Sequence, residues 1–507
     1  MLLAVIVSGS IIWGIYKTEF LAGFWGLQDD EIAVVTIERD DSESSVPEAI
    51  TVVAPNKSFW DVLELLGVPL VLAVLGAWFQ KSQQEQSERL SKEQREQDAD
   101  EAREEVLQLY FDRISTLLID KSLMLIATKK AVKEYAVSEE QKELLEVSID
   151  IRKARTLSIL RRFDKDSERR GSVIRFLIEA DVISRLQVNL SEANLIEVDL
   201  SFANLLGVDV SEVCLNRANL SDADLSGANL SKASLFEANL AGANLSEATL
   251  DQTFMSAATL IVANLSNANL YGANLICANL SRANLSNANL STAILSGTDL
   301  SGADLSGANL SKARLDRTTN LKESNLSGAT LIEADLRTVD FIDVNLSDAN
   351  LSLSNLIEAD LSRSNLSNTV FVEANLSLSN LNRANLSGAN LSGASLIEAG
   401  LEKSDLSGAN LSSSNLQEAN LSGANLTRAK LLGASFFCAY LSNANLCRTN
   451  LNGVDLTQAD MRGADLSNAD LSGADVIGTR FGTGIGLSAE DRQNLIERGA
   501  IFEEELE

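Results

Sequence analysis

Apolar residues recur at every fifth position through most of the chain, a period that fits neither an α-helix nor a flat β-strand. The spacing runs from Leu190 to Leu315, slips by one residue across Asp316–Asn320, and continues from Leu321 to Phe481. With the repeated apolar position called i, position i−2 is mostly Ala, i−1 mostly Asn or Asp, i+1 often Ser and i+2 often Gly. Because i−2 and i require burial while i+1 and i+2 are polar, the pattern predicts a chain that turns a corner every five residues.

Four such corners close a square coil, and stacked coils lie about 4.8 Å apart, as strands do in a sheet. Alanine fits the narrow interior, and the leucines fill its axis. The Asn or Asp at i−1 is expected to bond to the backbone at the corner and to form ladders along the stack. Glycine at i+2 indicates a positive φ there. The repeat therefore predicts one rod of roughly 15 coils, about 70 Å long.

The units read ANL, ADL, SNL and ASL, as in SGANL at Ser387–Leu391. This pattern resembles the pentapeptide-repeat family, whose consensus is A(D/N)LXX, over roughly 186–481. The resemblance implies a mostly β fold, a right-handed quadrilateral β-helix, and no single function. Segments of 103–184, among them RKARTLSILRRFD, look like the helical module that precedes the repeats in membrane-tethered cyanobacterial members of this family. That second resemblance implies no catalytic residues.

Two apolar segments precede the repeats. Val62–Phe79 has nearly the minimum length of a membrane-spanning helix and carries tryptophans at its ends, although a buried helix of a soluble domain is the alternative. Met1–Tyr16 is shorter and predicts either a first span or a signal-like segment. The loop at 28–58 is acidic, whereas basic residues follow Phe79. The positive-inside rule then predicts that the rod lies on the cytoplasmic side.

The chain is thus predicted to contain seven consecutive segments. They are a first transmembrane segment (1–27), an acidic non-cytoplasmic loop (28–58), a transmembrane helix (59–80), a charged helical linker (81–103), an α-helical module (104–185), the pentapeptide-repeat β-helix (186–481) and a C-terminal cap (482–507). Ser488 and Asp491 resemble a capping box, and Gly499 fits a helix stop. A short helix there would cover the open edge of the last coil, and a partner-binding tail is the alternative.

Composition narrows the possible chemistry. The chain has no histidine, which excludes His-based triads and His metal ligands. Its four cysteines form no CxxC pair and have no zinc-like spacing. Acidic residues are abundant, but they are expected on the solvent-exposed surface of the repeat, where no pocket is predicted. The sequence therefore predicts no catalytic, cofactor-binding or metal-binding residue, and an enzyme is the least favoured class of protein.

A second period, of 40 residues, runs through the outward i+1 positions. Forty residues are two coils, so these apolar side chains should line one face of the rod roughly 9.6 Å apart. The interaction ridge predicted in this way consists of Ile196, Phe236, Ile276, Ile357, Ile397, Phe437 and Ile477. It is either a docking surface for a partner or a second copy, or the imprint of a duplicated eight-unit block.

Basic residues concentrate in the helical module. The candidate membrane-proximal patch consists of Arg152, Lys153, Arg155, Arg161, Arg162, Arg169 and Arg170. It could attract anionic headgroups, but pairing with the acidic linker or simple solvation is the alternative.

These features favour a membrane-tethered, non-catalytic scaffold that presents the rod to an unidentified protein partner, with lateral self-association as a possibility. Repeat solenoids generally act by presenting surface. The alternative is a DNA-mimicking inhibitor of a DNA-binding enzyme such as gyrase, a role implied by the family resemblance and by the net charge of −29. The same negative charge disfavours direct binding of nucleic acid.

Overall fold

The computed structural model describes residues 6–7, 10–11, 59–119, 139–180, 182, 190, 193–482 and 486–503, although the side chains of 59–68 and of several residues in 139–152 lie outside this description. The chain forms two compact units, 1–106 and 107–507. Along the chain the regular elements are β1 (Ile6–Val7), β2 (Ser10–Ile11), α1 (Phe59–Ile119), α2 (Glu139–Arg162), α3 (Ser167–Glu179), β3 (Arg480–Phe481), α4 (Ala489–Glu497) and β4 (Ile501–Phe502).

In the first unit, β1 pairs antiparallel with β2, with Ile6 opposite Ile11. The prediction of a helical first span is therefore wrong at these four residues. Three of the four, Ile6, Val7 and Ile11, have β-branched side chains that favour an extended backbone, and a Ser-Gly pair separates the two strands in the sequence. The remainder of Met1–Tyr16 and the loop at 28–58 lie outside the described residues.

Helix α1 is continuous over 61 residues, with Pro69 inside it. It joins in one helix the segments predicted as a span, a linker and the start of the helical module. In the described parts of the chain, no helix combines the length and the apolar character needed to cross a membrane. The predicted span at 59–80 begins with residues whose side chains are not described.

In the second unit, the end of α1 packs with α2 and α3 around a small core. The Tyr110 hydroxyl lies 2.9 Å from Thr156 Oγ1, and the rings of Phe111 and Phe176 are 4.4 Å apart. Burial raises the pKa of Tyr110 to about 12. Ile114 and Leu177 are almost fully buried. The apolar stripe of the sequence thus supplies the side of α1 that packs on the module.

The repeat forms a stack of parallel bridges from Asn194–Cys214 to Asp460–Arg480, which join residues 20 apart everywhere except at the slip. Within the stack, Leu220 N–H donates to Asn239 C=O at 2.7 Å, and Asn239 N–H donates back to Ala218 C=O at 2.9 Å. The Ala and Leu side chains at i−2 and i are buried in almost every unit, with half-buried Ala203 and Ala469 as exceptions. This is the predicted coil with four corners. We call the corners that follow Leu195 and its equivalents above it column 1.

The corners have the predicted hydrogen bonds but less glycine than expected. Asn219 Oδ1 accepts from the N–H of Ser221 at 3.3 Å, and Asn239 Nδ2 donates to Asn219 Oδ1 at 3.0 Å, which continues the ladder into the next coil. Position i+2 has a positive φ as predicted in all described units except those of Arg317 and Gly473, but 39 of these residues are not glycine and have φ between 54° and 61°. Since such residues rarely adopt this conformation, the stack itself must impose it.

The one-residue slip is absorbed within a single coil. Four successive bridges there join residues 21 apart, among them Asp299–Asn320 and Arg314–Asp335. Thr319 occupies the buried i−2 position, and its Oγ1 donates to Leu295 C=O at 2.9 Å. The columns therefore keep their alignment across the slip, as the sequence predicts.

Each end of the rod is closed by arginine. At the N-terminal end, Arg170 donates to Asn194 C=O at 3.2 Å and to Ile196 C=O at 2.7 Å, and Arg175 donates to Asp199 C=O at 2.7 Å. These are the carbonyls that a preceding coil would have bonded.

At the C-terminal end, β4 pairs in parallel with β3, and Arg498 donates to the carbonyls of Leu471 and Ala474. Helix α4 begins with the predicted capping box of Ser488 and Asp491, and Gly499 follows it with a φ of 92°. The predicted C-terminal cap is therefore a helix followed by one short strand.

Candidate interaction surface

The seven ridge residues all lie on column 1, because the bridges Asn194–Cys214, Cys214–Ser234 and their successors stack their corners directly. They occupy alternate coils. Phe236 and Ile477 are exposed, and the other five are half-buried. The coils between them carry polar residues at the same position, such as Ser377 and Gln417. The sequence period thus becomes a row of separate apolar side chains along one corner.

The two halves of column 1 differ in charge. In the first half, Arg217 lies 3.7 Å from Glu197 and 2.8 Å from Glu237, so one cation serves two carboxylates. In the second half, Glu358, Glu398 and Glu418 occupy the equivalent i+2 positions and form no ion pair with any described residue. The second half therefore presents uncompensated negative charge beside its apolar side chains.

Leu378 adds apolar surface to the second half. It occupies i+2 in the coil between Ile357 and Ile397, has a φ of 61°, and is 49% exposed. The 40-residue period did not identify this residue, because it lies at i+2 rather than i+1. The signal available in the sequence was a leucine at a position mostly filled by glycine or polar residues.

The residues of the candidate basic patch differ in their exposure to solvent. Arg155, Arg161 and Arg162 are exposed, Lys153 is half-buried, and the side chain of Arg152 is not described. Arg170 is only 3% exposed and bonds to the first coil, so its assignment to a surface patch was wrong. It was misplaced because its side chain serves the open carbonyls of the rod, which the local run of charge does not reveal.

Arg169 is also tied to its own helix. It donates to Asp166 Oδ2 at 2.7 Å, and Asp166 caps the start of α3 by accepting from the N–H of Arg169 at 3.0 Å. These contacts direct Arg169 toward the helix end rather than toward an open basic surface. Three arginines, Arg155, Arg161 and Arg162, form the part of the patch that the structure leaves exposed.

A depression of about 250 Å³ lies on the neighbouring column, where Gly400 replaces the usual Asn or Asp. Asn382 Oδ1 accepts from the N–H of Glu402 at 2.7 Å at its edge. Arg363 and Arg383 line it on two successive coils. Sequence analysis did not identify this depression. The available indication was a pair of arginines 20 residues apart, which places them on consecutive coils.

Comparison with known proteins agrees with the fold. A family model described as "Pentapeptide repeats (8 copies)" matches overlapping segments from 187 to 356, and then 359–396, 404–437 and 439–476. No curated protein is significantly similar to the chain.

Among solved structures, the chain is 34% identical to HetL, a pentapeptide-repeat protein involved in heterocyst differentiation regulation in the cyanobacterium Nostoc sp. strain PCC 7120. The match covers 46% of this chain and 89% of HetL, with a TM-score of 0.19. It is 35% identical to Rfr23 of the cyanobacterium Cyanothece 51142, over 22% of this chain and 85% of that one, with a TM-score of 0.14.

The chain is also 20% identical to QnrB1, a plasmid-mediated fluoroquinolone resistance protein, over 40% of this chain and 96% of that one, with a TM-score of 0.30. The family match covers more than half of the chain. A right-handed β-helix is the fold that this family implies, in agreement with the stacked parallel bridges. The chain belongs to the pentapeptide-repeat family.

Proposed function

We propose that this protein is a non-catalytic interaction scaffold, tethered to a membrane at its N-terminal side and presenting the rod to a protein partner in the cytoplasm. The observation that carries the proposal is column 1, where apolar side chains alternate with polar ones on both sides of the slip, interrupted only at Asp316 beside it. A rigid stack that repeats one corner geometry is suited to presenting side chains at fixed spacing.

The proposed tether is supported by the apolar part of α1. Seven large apolar side chains between residues 70 and 79 are exposed on the helix: Leu70, Val71, Leu72, Val74, Leu75, Trp78 and Phe79. A contiguous exposed apolar surface of this kind indicates contact with lipid or with another protein. Lipid is the occupant that we propose.

The tether can be tested with paired substitutions in the full-length chain. Leu72→Ser with Leu75→Ser should release the protein from membranes in a flotation assay. Leu90→Ser with Leu109→Ser is the matched control, because these leucines are also exposed on α1 but lie outside the apolar segment at 70–79. Release by both variants, or by neither, would contradict a tether at residues 70–79.

The scaffold role itself is tested by crosslinking the full-length chain in native membranes. A partner recovered in fixed stoichiometry is expected, and the absence of any stoichiometric partner would contradict the proposal. The DNA-mimic alternative requires an unbroken acidic surface. Arg363, Arg383 and Lys403 interrupt the acidic surface in three consecutive coils. We therefore expect no inhibition in a gyrase supercoiling assay at micromolar protein.

A further inference from the structure

We propose that the second half of column 1 binds a cationic amphipathic α-helix of a partner. This surface, which we call the acidic corner, consists of Ile357, Leu378, Ile397, Phe437, Glu358, Glu398 and Glu418. The inference deepens the scaffold role and rests on it, since it names the surface and the chemistry of the partner. It depends on three properties of the corner: its row of apolar side chains, its unpaired carboxylates and its spacing.

The apolar groups form a row on one corner. Ile357, Ile397 and Phe437 occupy alternate coils, and Leu378 lies between the first two. The three i+1 residues are half-buried by their own stack, so their backbone and rotamers are already held in place. Binding of a partner would therefore cost little conformational entropy on this side of the interface.

The carboxylates determine which charge the partner must carry. Glu358 and Glu398 follow Ile357 and Ile397 directly, and neither has an ion pair within the described chain. Glu418 accepts a hydrogen bond from Gln417 Nε2 at 3.1 Å but has no cation partner there. An apolar partner without charge would desolvate these groups without compensation, whereas lysine or arginine beside each apolar contact would pair with them.

The spacing fits a helix. The apolar residues of the corner recur roughly every 9.6 Å, which is two coils at about 4.8 Å each. Residues seven apart on a helix advance about 10.5 Å along its axis. A helix inclined by about 24° to the rod would bring the two spacings into step, close to a common angle for packed helices. Three contacts would then span roughly two heptads.

Charge also favours a cationic helix over two other possible occupants, a second copy of this chain and an anionic lipid surface. The corner of a second copy would match the 9.6 Å spacing, but it would bring glutamates against glutamates. Anionic lipid headgroups would be repelled in the same way. In the first half of column 1, Arg217 forms ion pairs with both Glu197 and Glu237 and offsets part of their charge. The same apolar period without free carboxylates is therefore present in the same molecule as an internal control.

The test uses the full-length chain and two synthetic helical peptides, each with leucine at every seventh position. One has lysine beside each leucine, and the other has glutamate at those places. We expect the lysine peptide to bind and the glutamate peptide not to bind. Combining Glu358→Gln, Glu398→Gln and Glu418→Gln should weaken binding of the lysine peptide about tenfold and reduce its salt dependence.

Combining Ile357→Ser, Ile397→Ser and Phe437→Ser should also weaken binding, by at least about tenfold. The matched control combines Ile196→Ser, Phe236→Ser and Ile276→Ser in the first half, and it should bind as the unchanged chain does. Thermal unfolding of each variant shows whether the rod remains intact, and the glutamine variant, which alters only surface carboxylates, keeps the test valid if the serine variants unfold.

Equal binding of the two peptides, or an equal loss in the first-half control, would overturn the inference. Self-association that the corner substitutions abolish would overturn it in favour of a second copy, and binding to phosphatidylserine vesicles that they abolish would favour a membrane. If the crosslinked partner is still recovered while the lysine peptide fails to bind, the inference fails and the scaffold role stands.

Discussion

The two ends of the rod solve one physical problem in different ways. The N-terminal coil exposes carbonyls that an earlier coil would have bonded. Guanidinium groups of α3 donate to these carbonyl oxygens instead, at 2.7 to 3.2 Å. The C-terminal coil is closed by backbone as well. Ile501 N–H donates to Thr479 C=O, and Gly478 N–H donates to Gly499 C=O, each at 2.8 Å.

Both end coils lack a neighbour for N–H groups as well as carbonyls, because within the stack each i−1 N–H donates to the preceding coil, as Asn219 N–H does to Val198 C=O. The N-terminal edge is closed where it presents acceptors, and an arginine carries several donors in a fixed fork but no acceptor. The C-terminal edge also presents donors, such as Gly478 N–H, which arginine cannot satisfy. A short strand supplies both donors and acceptors, so β4 is needed there. Arginine can thus bond the open carbonyls of an end coil but not its open N–H groups.

The comparison is tested most strongly at Arg170, which is buried and bonds to two carbonyls. Arg170→Ala should cost about 3 kcal/mol locally, because charge-assisted hydrogen bonds are lost and two acceptors are left unpaired. A long repeat array does not unfold in one step, so amide hydrogen exchange is the appropriate measurement. Amides of the first two coils should exchange about a hundredfold faster, while those near residue 400 should not change.

Arg170→Lys is the matched control for that substitution. Lysine keeps the charge but cannot form a planar fork across two carbonyls, so it should recover only part of the protection. Unchanged exchange in the first coils of the alanine variant would mean that the guanidinium group does not close this end.

A smaller effect is expected at the C-terminal end. Ile501→Pro removes the N–H that bonds to Thr479, and it should cost about 2 kcal/mol in the last coil. Arg498 remains in place to bond Leu471 and Ala474. Ile501→Ala keeps the amide and removes only an exposed side chain, so it should have little effect on exchange. Equal effects of the two substitutions would show that side-chain contact, not the strand, closes this end.

The sequence could predict the rod because every unit carries the same information. Burial at i−2 and i, the amide at i−1 and the turn at i+1 and i+2 all point to one geometry, and Thr319 even keeps the columns aligned across the slip. The left-handed backbone of non-glycine residues such as Val262 was not predictable from local preference. The hydrogen bonds of neighbouring coils impose it, and these act between residues 20 apart.

The ends and the surface were harder to predict, since neither repeats. Arg170 looked like one of several clustered cations, and only the position of α3 shows that it meets the first coil. The alternation along column 1 was readable from the sequence, because periodicity places residues on a face. The contrast between its halves needed the structure. Arg217 reaches Glu197 and Glu237 only because the coils place residues 20 apart side by side.

The smallest expected effect at the two ends is the loss of stability at low pH. Hydrogen bonds from the Ser201 side chain and backbone, with a further contribution from Arg175, lower the pKa of Asp199 to about 2. At the other end, the hydroxyl and backbone of Ser488 lower the pKa of Asp491. Because both folded-state pKa values are depressed, each carboxylate adds stability above its ordinary pKa near 4, and the contribution is lost as the pH falls.

For Asp199 that loss should extend down to about pH 2. Carboxyl titration by NMR measures it directly. Ser201→Ala should raise the midpoint of Asp199 more than Arg175→Gln does, because the serine bonds are the larger cause and the pair with Arg175 is half-exposed to solvent. A larger shift in the Arg175 variant would mean that the charge of the cap, rather than the corner of the coil, holds this carboxylate ionised.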